Sequence, residues 1–246
     1  MQDALRLNFG FEDEGAFEIG RRVVKQGVQR MIGNPLFAAA YDRLWKEFGA
    51  RGELETREVL AARLDWSAKR EGMAYELVVV RKNGEIVALR DHTAILRIGS
   101  GAARAIVHLS HAWIAPLQRR TGLAGWLRAR PVRFARECLR QAGLPVTSQV
   151  ILVCEMEPPR EEASETIVRL RSYENGGFLM VDPEKIDYRQ PDFRKPETID
   201  ATGGPRFLAL RLLLRRVGRE KENELRGAEL RLIVSELYRM YEQGTK

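Results

Sequence analysis

The chain has 246 residues, of which 44% are apolar and 30% are charged, and it carries a formal net charge of +7. This length and composition exclude a protein that is disordered throughout, and they favour one large domain or two small ones. The longest strongly apolar runs, such as Phe207–Leu214, which Arg211 interrupts, are too short to cross a membrane. The N-terminal residues do not resemble a secretory signal. Two cysteines, Cys138 and Cys154, are too few for a disulfide scaffold, so we expect a soluble cytoplasmic protein without a membrane partner.

The excess positive charge is confined to one stretch of the chain. Residues 101–145 contain one acid, Glu137, and eight arginines, namely Arg104, Arg119, Arg120, Arg128, Arg130, Arg133, Arg136 and Arg140. The rest of the chain has equal numbers of basic and acidic residues. A charge confined in this way indicates either a local site for an anion or a solvated basic helix face, and charge alone leaves both interpretations open.

The N-terminal part, residues 15–72, has the spacing of apolar residues that is typical of helices. Apolar residues recur at helical spacing over Val23–Ile32 and again over Leu36–Phe48, and Asn34-Pro35 interrupts the pattern between them. Thr56–Leu64 is predicted as a further helix with Thr56 as its N-cap.

The pattern then changes to that of strands. Ala74–Arg81 and Glu85–Leu89 are rich in β-branched residues and flank Asn83-Gly84, which is the strongest short-range indication of a hairpin. His92–Ile98 and Arg104–Ala115 continue as extended runs. The turns between these strands are too short for crossover helices, so we expect antiparallel pairing.

The second half of the chain alternates helices and strands. A helix is predicted from Gly122 onward, with a kink or break near Arg130 and a second helix that begins at Pro131, because proline does not fit inside a helix. Gln149–Glu155 is a nearly continuous apolar run, which is typical of a buried central strand. The remaining segments are predicted as a helix over Glu161–Tyr173, a strand over Phe178–Val181, a loop over Tyr188–Gly204, a strand over Pro205–Val217 and a closing amphipathic helix over Glu220–Gln243.

A polar loop, Pro116–Gly125, lies between a predicted strand and the start of a predicted helix. Backbone N–H groups at a helix N-terminus bind phosphate, and small residues such as Gly122 and Ala124 let the backbone approach it closely. Arg119 and Arg120 add positive charge beside the loop. About half of the glycine-containing loops that precede a helix bind no ligand, so the loop alone does not establish a site.

The residues of this loop resemble motif A of the Gcn5-related N-acetyltransferase (GNAT) superfamily. Pro116, Arg119, Gly122 and Ala124 match the motif in register, whereas Arg120 stands where the family usually has glycine. A second match follows at the right distance, because Tyr173, Gly177 and Phe178 fit the end of the family's motif B. The two motifs and the intervening strands account for about residues 73–217.

The resemblance implies an α/β fold of the α+β type, in which a mixed, mostly antiparallel sheet is flanked by helices. The fourth and fifth strands of the family, here Arg104–Ala115 and Gln149–Glu155, splay apart and admit the pantetheine arm of acetyl-CoA. The resemblance assigns the backbone of Trp113, Ile114 and Ala115 to that arm. The loop residues assigned to the pyrophosphate are Arg119, Arg120, Thr121, Gly122, Leu123 and Ala124, and the candidates for the 3′-phosphate are Arg128, Arg130 and Arg133.

The resemblance also implies a chemistry, namely transfer of an acetyl group from acetyl-CoA to a primary amine by direct attack. Tyr173 stands where the family keeps its general acid, which protonates the departing thiolate. Glu155 is a candidate general base, because a carboxyl at a partly desolvated strand end is expected to have a raised pKa. The acceptor is left open among a small amine, an antibiotic, a polyamine and a peptide N-terminus.

No metal site is expected from the sequence. His108 and His111 are three residues apart on a predicted strand, which places them on opposite faces of a regular sheet. We expect one of them to be packed and the other to line the cleft. Ser110 and His111 are adjacent, and for the same reason they are not expected to form a catalytic dyad.

We expect one domain over residues 1–246, with residues 1–72 as the acceptor side, 73–217 as the acetyl-CoA-binding core and 218–246 as a C-terminal helix that packs on it or forms a homodimer. The N-terminal helices are expected to replace the first strand of the family. An alternative function is a catalytically silent acyl-CoA-binding or protein-interaction module. Nucleic acid is not expected as a partner, because the basic loop belongs to a cleft and not to an open surface.

Overall fold

The structure is a computed structural model that describes residues 18–20, 32–99, 102–159, 165–222 and 224–244. The helices in these ranges are α1 (Pro35–Phe48), α2 (Arg57–Arg63), α3 (Leu123–Gln141), α4 (Glu165–Glu174), α5 (Pro196–Ala201) and α6 (Gly227–Gly244). The strands are β1 (Glu18–Gly20), β2 (Met73–Lys82), β3 (Glu85–Gly99), β4 (Ala102–Ile114), β5 (Gln149–Met156), β6 (Leu179–Met180), β7 (Arg189–Gln190), β8 (Leu208–Ala209) and β9 (Arg211–Arg216). None of the described helices is long and apolar enough to cross a membrane.

The main sheet has seven strands in the order β1-β2-β3-β4-β5-β9-β6, and β7 pairs with β8 separately. All neighbouring strands of the main sheet are antiparallel except β4 and β5, which are parallel. The pairing of β4 with β5 runs from Arg104 with Gln149 to Leu109 with Cys154 and then ends, although both strands continue. The predicted fold class and the splay between these two strands are therefore confirmed.

Local sequence features explain where several elements begin and turn. Asn34 caps helix α1 by accepting hydrogen bonds from the N–H groups of Leu36 and Phe37, and Pro35 occupies the first turn, where its missing N–H is not needed. Thr56 caps helix α2 as predicted. Asn83 and Gly84 both have positive φ, as a tight hairpin turn between β2 and β3 requires.

Helices cover both faces of the sheet, and the core divides accordingly. Helices α3 and α4 pack on one face, which we call the α3 face, where Phe134 and Leu139 contact Val107 and Cys154 among others. Helices α1, α2 and α6 pack on the opposite face, which we call the α6 face. Successive strand residues point to opposite faces, so neighbours in sequence on β5 contribute to different halves of the core.

Two predictions about the first half of the chain are wrong. Residues Glu18–Gly20 form strand β1, which pairs with β2 at the sheet edge, where helix and no first strand were predicted. Pairing by three backbone units leaves little trace in side-chain periodicity. The helix from Leu123 continues through Pro131 to Gln141, because proline removes only one hydrogen bond and its ring here is buried. The predicted helix over Val23–Ile32 lies outside the described residues except for Ile32.

The C-terminal third also departs from prediction. The segment Tyr188–Gly204, predicted as loop, contains β7 and the short helix α5. The predicted strand Pro205–Val217 is two strands, β8 and β9, which pair in different sheets. Helix α6 starts at Gly227 and not at Glu220, because Glu220 and Glu222 form ion pairs with arginines of β9 and the turn after it. The predicted helix residues 161–164 are not among the described residues.

Candidate active site

A cleft of about 610 Å³ opens where β4 and β5 separate. Of the eleven residues that the sequence assigned to catalysis or cofactor binding, six line it, namely Trp113, Ile114, Arg119, Ala124, Glu155 and Tyr173. The other five, Ala115, Arg120, Thr121, Gly122 and Leu123, belong to the strand end and loop beyond that lining. The topology thus brings both predicted catalytic side chains to one cavity.

The edge of β4 that faces the cleft is open. The N–H group of Ala115 donates to the carbonyl of Val87 on β3 at 2.9 Å. Because successive N–H groups of a strand point to opposite sides, the N–H of Ile114 points away from β3 and toward the cleft. Strand β5 pairs with β4 only as far as Cys154, so this edge is available to an extended ligand.

The loop after β4 turns sharply before it enters helix α3. Arg120 has φ +64° and Gly122 has φ +86°, and both values lie in the left-handed region. Thr121 stabilises the turn by donating its hydroxyl proton to the carbonyl of Gln118 at 2.8 Å. The side chain of Leu123 is buried, so only the backbone of this residue is available to a ligand. The N–H group of Gly125 donates to the carbonyl of Gly122 at 2.9 Å. The N–H groups of Leu123 and Ala124 come before any intrahelical acceptor, so this end of α3 is suited to bind an anion.

The arginines of helix α3 are less available than their number suggests. Arg130 donates to Glu76 at 2.7 Å and pairs with Glu137 at 3.3 Å, and Arg133 pairs with the same Glu137 at 3.2 Å. Arg128 donates to the hydroxyl of Ser172 on α4 at 3.2 Å. The 3′-phosphate role is therefore not supported for Arg130, whose guanidinium is committed to the buried carboxylate of Glu76 and to the half-buried carboxylate of Glu137.

Glu155 is the centre of a buried polar cluster on the α6 face. Its carboxylate accepts hydrogen bonds from the hydroxyl of Tyr241 at 3.0 and 3.2 Å, from the hydroxyl of Tyr188 and from Nε2 of His108 at 3.1 Å. Burial alone raises the pKa of Glu155, but the charge and hydrogen bond of His108 and the two tyrosine hydroxyls outweigh burial and lower it. The expectation of a raised pKa for Glu155 is therefore wrong.

His108 links this cluster to the cleft. A carboxylate only accepts hydrogen bonds, so Nε2 of His108 carries the proton shared with Glu155. In the neutral ring Nδ1 is then an acceptor, and the hydroxyl of Ser110, which lines the cleft, is 3.2 Å from it. Ser110, His108 and Glu155 form a continuous hydrogen-bonded chain from the cleft to the buried carboxylate.

The two histidines lie on the same face of the sheet, contrary to the prediction. Between Leu109 and Ala112 strand β4 has one residue more than the facing segment of β3, which is a β-bulge. The extra residue reverses the alternation, so His111 points to the α6 face like His108, and both are buried at the cleft wall. Within the described part of the chain, no three His, Cys, Asp or Glu side chains are grouped to hold a metal ion.

His111 belongs to a second buried cluster. Its Nδ1 donates to Asp91 at 3.0 Å and its Nε2 donates to the carbonyl of Glu53 at 2.9 Å. Burial lowers the pKa of His111, but the charge of Asp91 outweighs it and raises the pKa to about 9. Asp91, which also accepts from the hydroxyl of Tyr75 at 2.9 Å, has its pKa lowered to about 2 because these partners outweigh burial. This ion pair fastens the segment after α1 to the cleft wall.

Tyr173 lies in the last turn of α4, on the α3 face. Its ring packs edge-on against Phe178 at 5.0 Å, and its carbonyl accepts from the N–H of Phe178 at 3.1 Å. Burial, followed by the neighbouring Cys154, raises the pKa of the Tyr173 hydroxyl, and Arg90 opposes the rise. The phenol is thus protonated at neutral pH.

The sequence missed several side chains of the site. Tyr188 lies in a segment that was predicted as loop, and Tyr241 occupies a helix position that resembles an ordinary core residue. Asp91 and Ser110 lie in apolar strands with no motif around them. Tyr188, Tyr241 and Asp91 become part of the site through contacts between residues distant in sequence, so no local pattern could have identified them. Ser110 bonds to His108, only two residues away.

Neither a protein-family model nor a curated protein matches this chain. Among solved structures, an acetyltransferase of the GNAT family from Streptococcus pneumoniae is 16% identical, with 81% of this chain and 98% of that chain covered, at a TM-score of 0.44. An acetyltransferase of the GNAT family from Staphylococcus aureus Mu50 is 13% identical, with 82% and 99% covered, at a TM-score of 0.43. The AtaT toxin, bound to the C-terminus of the antitoxin AtaR and acetyl-CoA, is 9% identical, with 84% and 96% covered, at a TM-score of 0.41. The chain is similar in structure to these three proteins.

Proposed function

We propose that the protein is an N-acetyltransferase of the GNAT superfamily, which transfers the acetyl group of acetyl-CoA to a primary amine. The observation that carries the proposal is the open edge of β4, which leads directly into the loop Arg119–Gly122 and the start of α3, with Tyr173 on the same cleft. Acetyl-CoA is a thioester that carries a pantetheine arm and a pyrophosphate. Its binding and reaction need an edge for an extended chain, a site for an anion and a proton donor.

The cleft accommodates the parts of acetyl-CoA in order. The pantetheine arm would add to β4 as an extra strand, and the N–H of Ile114 would polarise the thioester carbonyl. The N–H groups at the start of α3 would hold the pyrophosphate, with the side chain of Arg119 beside them. A family glycine is replaced by Arg120, and its positive φ shows that this residue nevertheless adopts the left-handed turn.

The two predicted catalytic groups are suited to opposite proton transfers. Glu155 holds His108, whose Nδ1 faces Ser110 at the cleft, so an uncharged His108 can take the proton that the ammonium acceptor loses, and Glu155 then stabilises the imidazolium that forms. Tyr173 keeps its proton and can give it to the CoA thiolate. The attacking nitrogen forms the new C–N bond and loses its second proton to water, the C–S bond breaks, and CoA leaves as the thiol with the proton from Tyr173.

Carboxylates on the cleft wall favour a cationic acceptor. The acidic side chains that line the cleft are Glu47, Glu53, Glu55, Glu155, Glu157 and Glu165, against three arginines, Arg51, Arg119 and Arg169. Burial raises the pKa of Glu53, the charge of Arg51 opposes the rise, and the charge of Glu157 adds to it. A polyamine or another amine with more than one positive charge would relieve this crowding of negative charge.

The test combines binding and turnover. Calorimetry with acetyl-CoA should show saturable binding, and a free-thiol assay across a panel of amines should show acceptor-dependent CoA release that is fastest with polycationic amines. Binding without release for any amine would favour a silent acyl-CoA-binding module instead. Absence of binding would contradict the proposal as a whole.

A further inference from the structure

Arg90 on β3 is a buried cation without a carboxylate partner. Its side chain is almost entirely covered, with 2% of the residue exposed, and its Nε has no hydrogen-bond partner. Among the described residues, no acidic side chain forms an ion pair with it. It pairs in register with Ala112, which lines the cleft beside Ser110 and Trp113.

Three other arginines with little exposed side chain are paired with carboxylates. Arg63 is paired with Glu55, with one of its hydrogen bonds at 2.9 Å, although its Nε, like that of Arg90, has no hydrogen-bond partner. Arg130 is paired with Glu76, and Arg216 with Glu222 and Glu229. A buried charge without a partner is costly, so proteins pair it or use it. Because Arg90 has no carboxylate partner among the described residues, we infer that an anionic ligand pairs with it.

The groups around Arg90 identify where that partner would lie. The charge of Arg90 opposes the rise in pKa of both the Tyr173 hydroxyl and the Cys154 thiol, so its guanidinium lies close to these two groups. Burial raises the pKa of Cys154 to about 12, so its thiol is uncharged at neutral pH and does not neutralise Arg90. Tyr173 is uncharged for the same reason.

The charged groups described around this corner leave two cations without a carboxylate. Arg169 of α4 pairs with Glu157 at 4.0 Å, and Arg215 of β9 pairs with Glu220 at 2.9 Å. The carboxylate of Glu76 is held by Arg130 and His92, and that of Glu155, which acts on Cys154, is held by His108. Among the described residues, Arg90 and Arg128 of α3 form no ion pair with an acid, and both lie near Tyr173.

We propose that Arg90, together with Tyr173, forms a buried subsite for a thiolate sulfur, which receives the sulfur of CoA as the acetyl group leaves. The inference rests on the proposed function. When the C–S bond breaks, its electron pair goes to sulfur, and the guanidinium of Arg90 stabilises that negative charge until the phenol proton of Tyr173 is transferred to it. Tyr173 then recovers a proton from water. Arg90 therefore contributes to binding of the leaving thiolate, although no sequence motif contains it.

The test compares ligands that differ at sulfur. In calorimetry, Arg90→Gln should weaken binding of CoA, whose thiol ionises, by about tenfold or more at pH 8.5, the scale of a lost hydrogen bond to a charged group. Binding of acetyl-CoA, which has no ionisable sulfur, should change less than twofold. CoA affinity of the wild type should rise with pH through the thiol range, and Arg90→Lys should retain that rise.

The control is Arg97→Gln, which removes an exposed arginine of the same strand that pairs with Glu236. Equal weakening of both ligands in Arg90→Gln, or no weakening of either, would overturn the thiolate subsite while leaving the proposed function intact. Failure of the wild type to bind either ligand would overturn the proposed function and the subsite with it. If Arg90→Gln does not fold by circular dichroism, the pH dependence in the wild type and Arg90→Lys decides the matter.

Discussion

Tyr173 illustrates how a single side chain acquires its properties from two sides. Its ring is fixed against Phe178, and its hydroxyl lies beside the buried groups Cys154 and Arg90. Burial raises the pKa of the phenol, which keeps the proton in place until a strong base such as a thiolate forms next to it. A residue that is both held and protonated is suited to act as a general acid.

Replacing Tyr173 with Phe removes the proton and keeps the packing. We expect acetyl-CoA affinity within about twofold of the wild type and turnover reduced by roughly 10²-fold, the usual scale of a lost general acid. Calorimetry and a free-thiol assay measure the two quantities. The matched control is Tyr238→Phe, because the Tyr238 hydroxyl bonds to the backbone of Arg189 outside the cleft. Full turnover in Tyr173→Phe would show that this tyrosine is structural.

The ion pair of His111 and Asp91 gives a prediction about stability and pH. The pKa of His111 is raised from 6.5 to about 9, so the stabilisation is complete below pH 6.5 and is lost as the pH rises through 9. The pKa of Asp91 is lowered from 3.8 to about 2, so its part is present above pH 3.8 and is lost as the pH falls through 2.

We therefore expect the free energy of unfolding of the wild type to fall between pH 6.5 and about 9.5. Asp91→Asn should be less stable by about 3–5 kcal/mol at pH 6.5, because it leaves a buried charge without its partner, and its stability should fall less over the same interval. Urea unfolding at both pH values measures this, with the exposed Asp182→Asn as control. Parallel pH curves for the wild type and Asp91→Asn would refute the assignment.

At the scale of elements, the join between β4 and α3 is the most constrained part of the candidate site. The strand ends at Ile114, a short 3₁₀ turn follows over Pro116–Gln118, and two residues with positive φ aim the start of α3 at the cleft. Glycine adopts φ +86° without strain, whereas other residues there are strained. The helix end can bind phosphate only if no side chain or negative charge stands in front of it.

Gly122→Glu places a side chain and a negative charge in front of the N-terminus of α3. We expect acetyl-CoA binding to become undetectable by calorimetry, with the fold retained by circular dichroism. Gly218→Glu is the matched control, because Gly218 also has a left-handed φ, +81°, and open space around it, in a turn after β9. If Gly122→Glu binds acetyl-CoA like the wild type, the phosphate site has been assigned to the wrong loop.

At the scale of the whole molecule, the splayed sheet divides the chemistry between its faces. Glu155 and His108 lie on the α6 face and take their partners from helix α6 and the segment before β7. Tyr173, Cys154 and Arg90 lie on the α3 face. The cleft between β4 and β5 connects the faces, so a proton can be taken on one side and given on the other.

This division predicts independent effects on turnover. Glu155→Gln should lower turnover most at low pH, where the amine depends on a base to lose its proton, and Tyr173→Phe should lower it through the leaving group. The losses in the double variant should therefore multiply. A pH–rate profile of the four proteins measures this. A double variant no slower than the worse single one would mean that the two residues act as one unit.

The sequence by itself determined the elements whose cause is local. The hairpin at Asn83-Gly84, the caps at Asn34 and Thr56, and the buried strand that became β5 depend on turn chemistry, capping and hydrophobicity within a few residues. Together with the two motifs, these features predicted the fold class and selected Tyr173 and Glu155, which the structure places on one cleft. The same local reasoning failed where pairing is long-range, as at β1, β7 and β8.

Only the tertiary structure decided the electrostatics of the site. The pKa of Glu155 is lowered and not raised, because His108, Tyr188 and Tyr241 converge on it from three separate parts of the chain. The bulge in β4, which aligns the histidines on one face, depends on how β3 pairs with β4. Among the described residues, Arg90 has no carboxylate partner, which follows from its place in the sheet. Burial and partner choice are properties of the packed chain, and a pattern of nearby residues does not contain them.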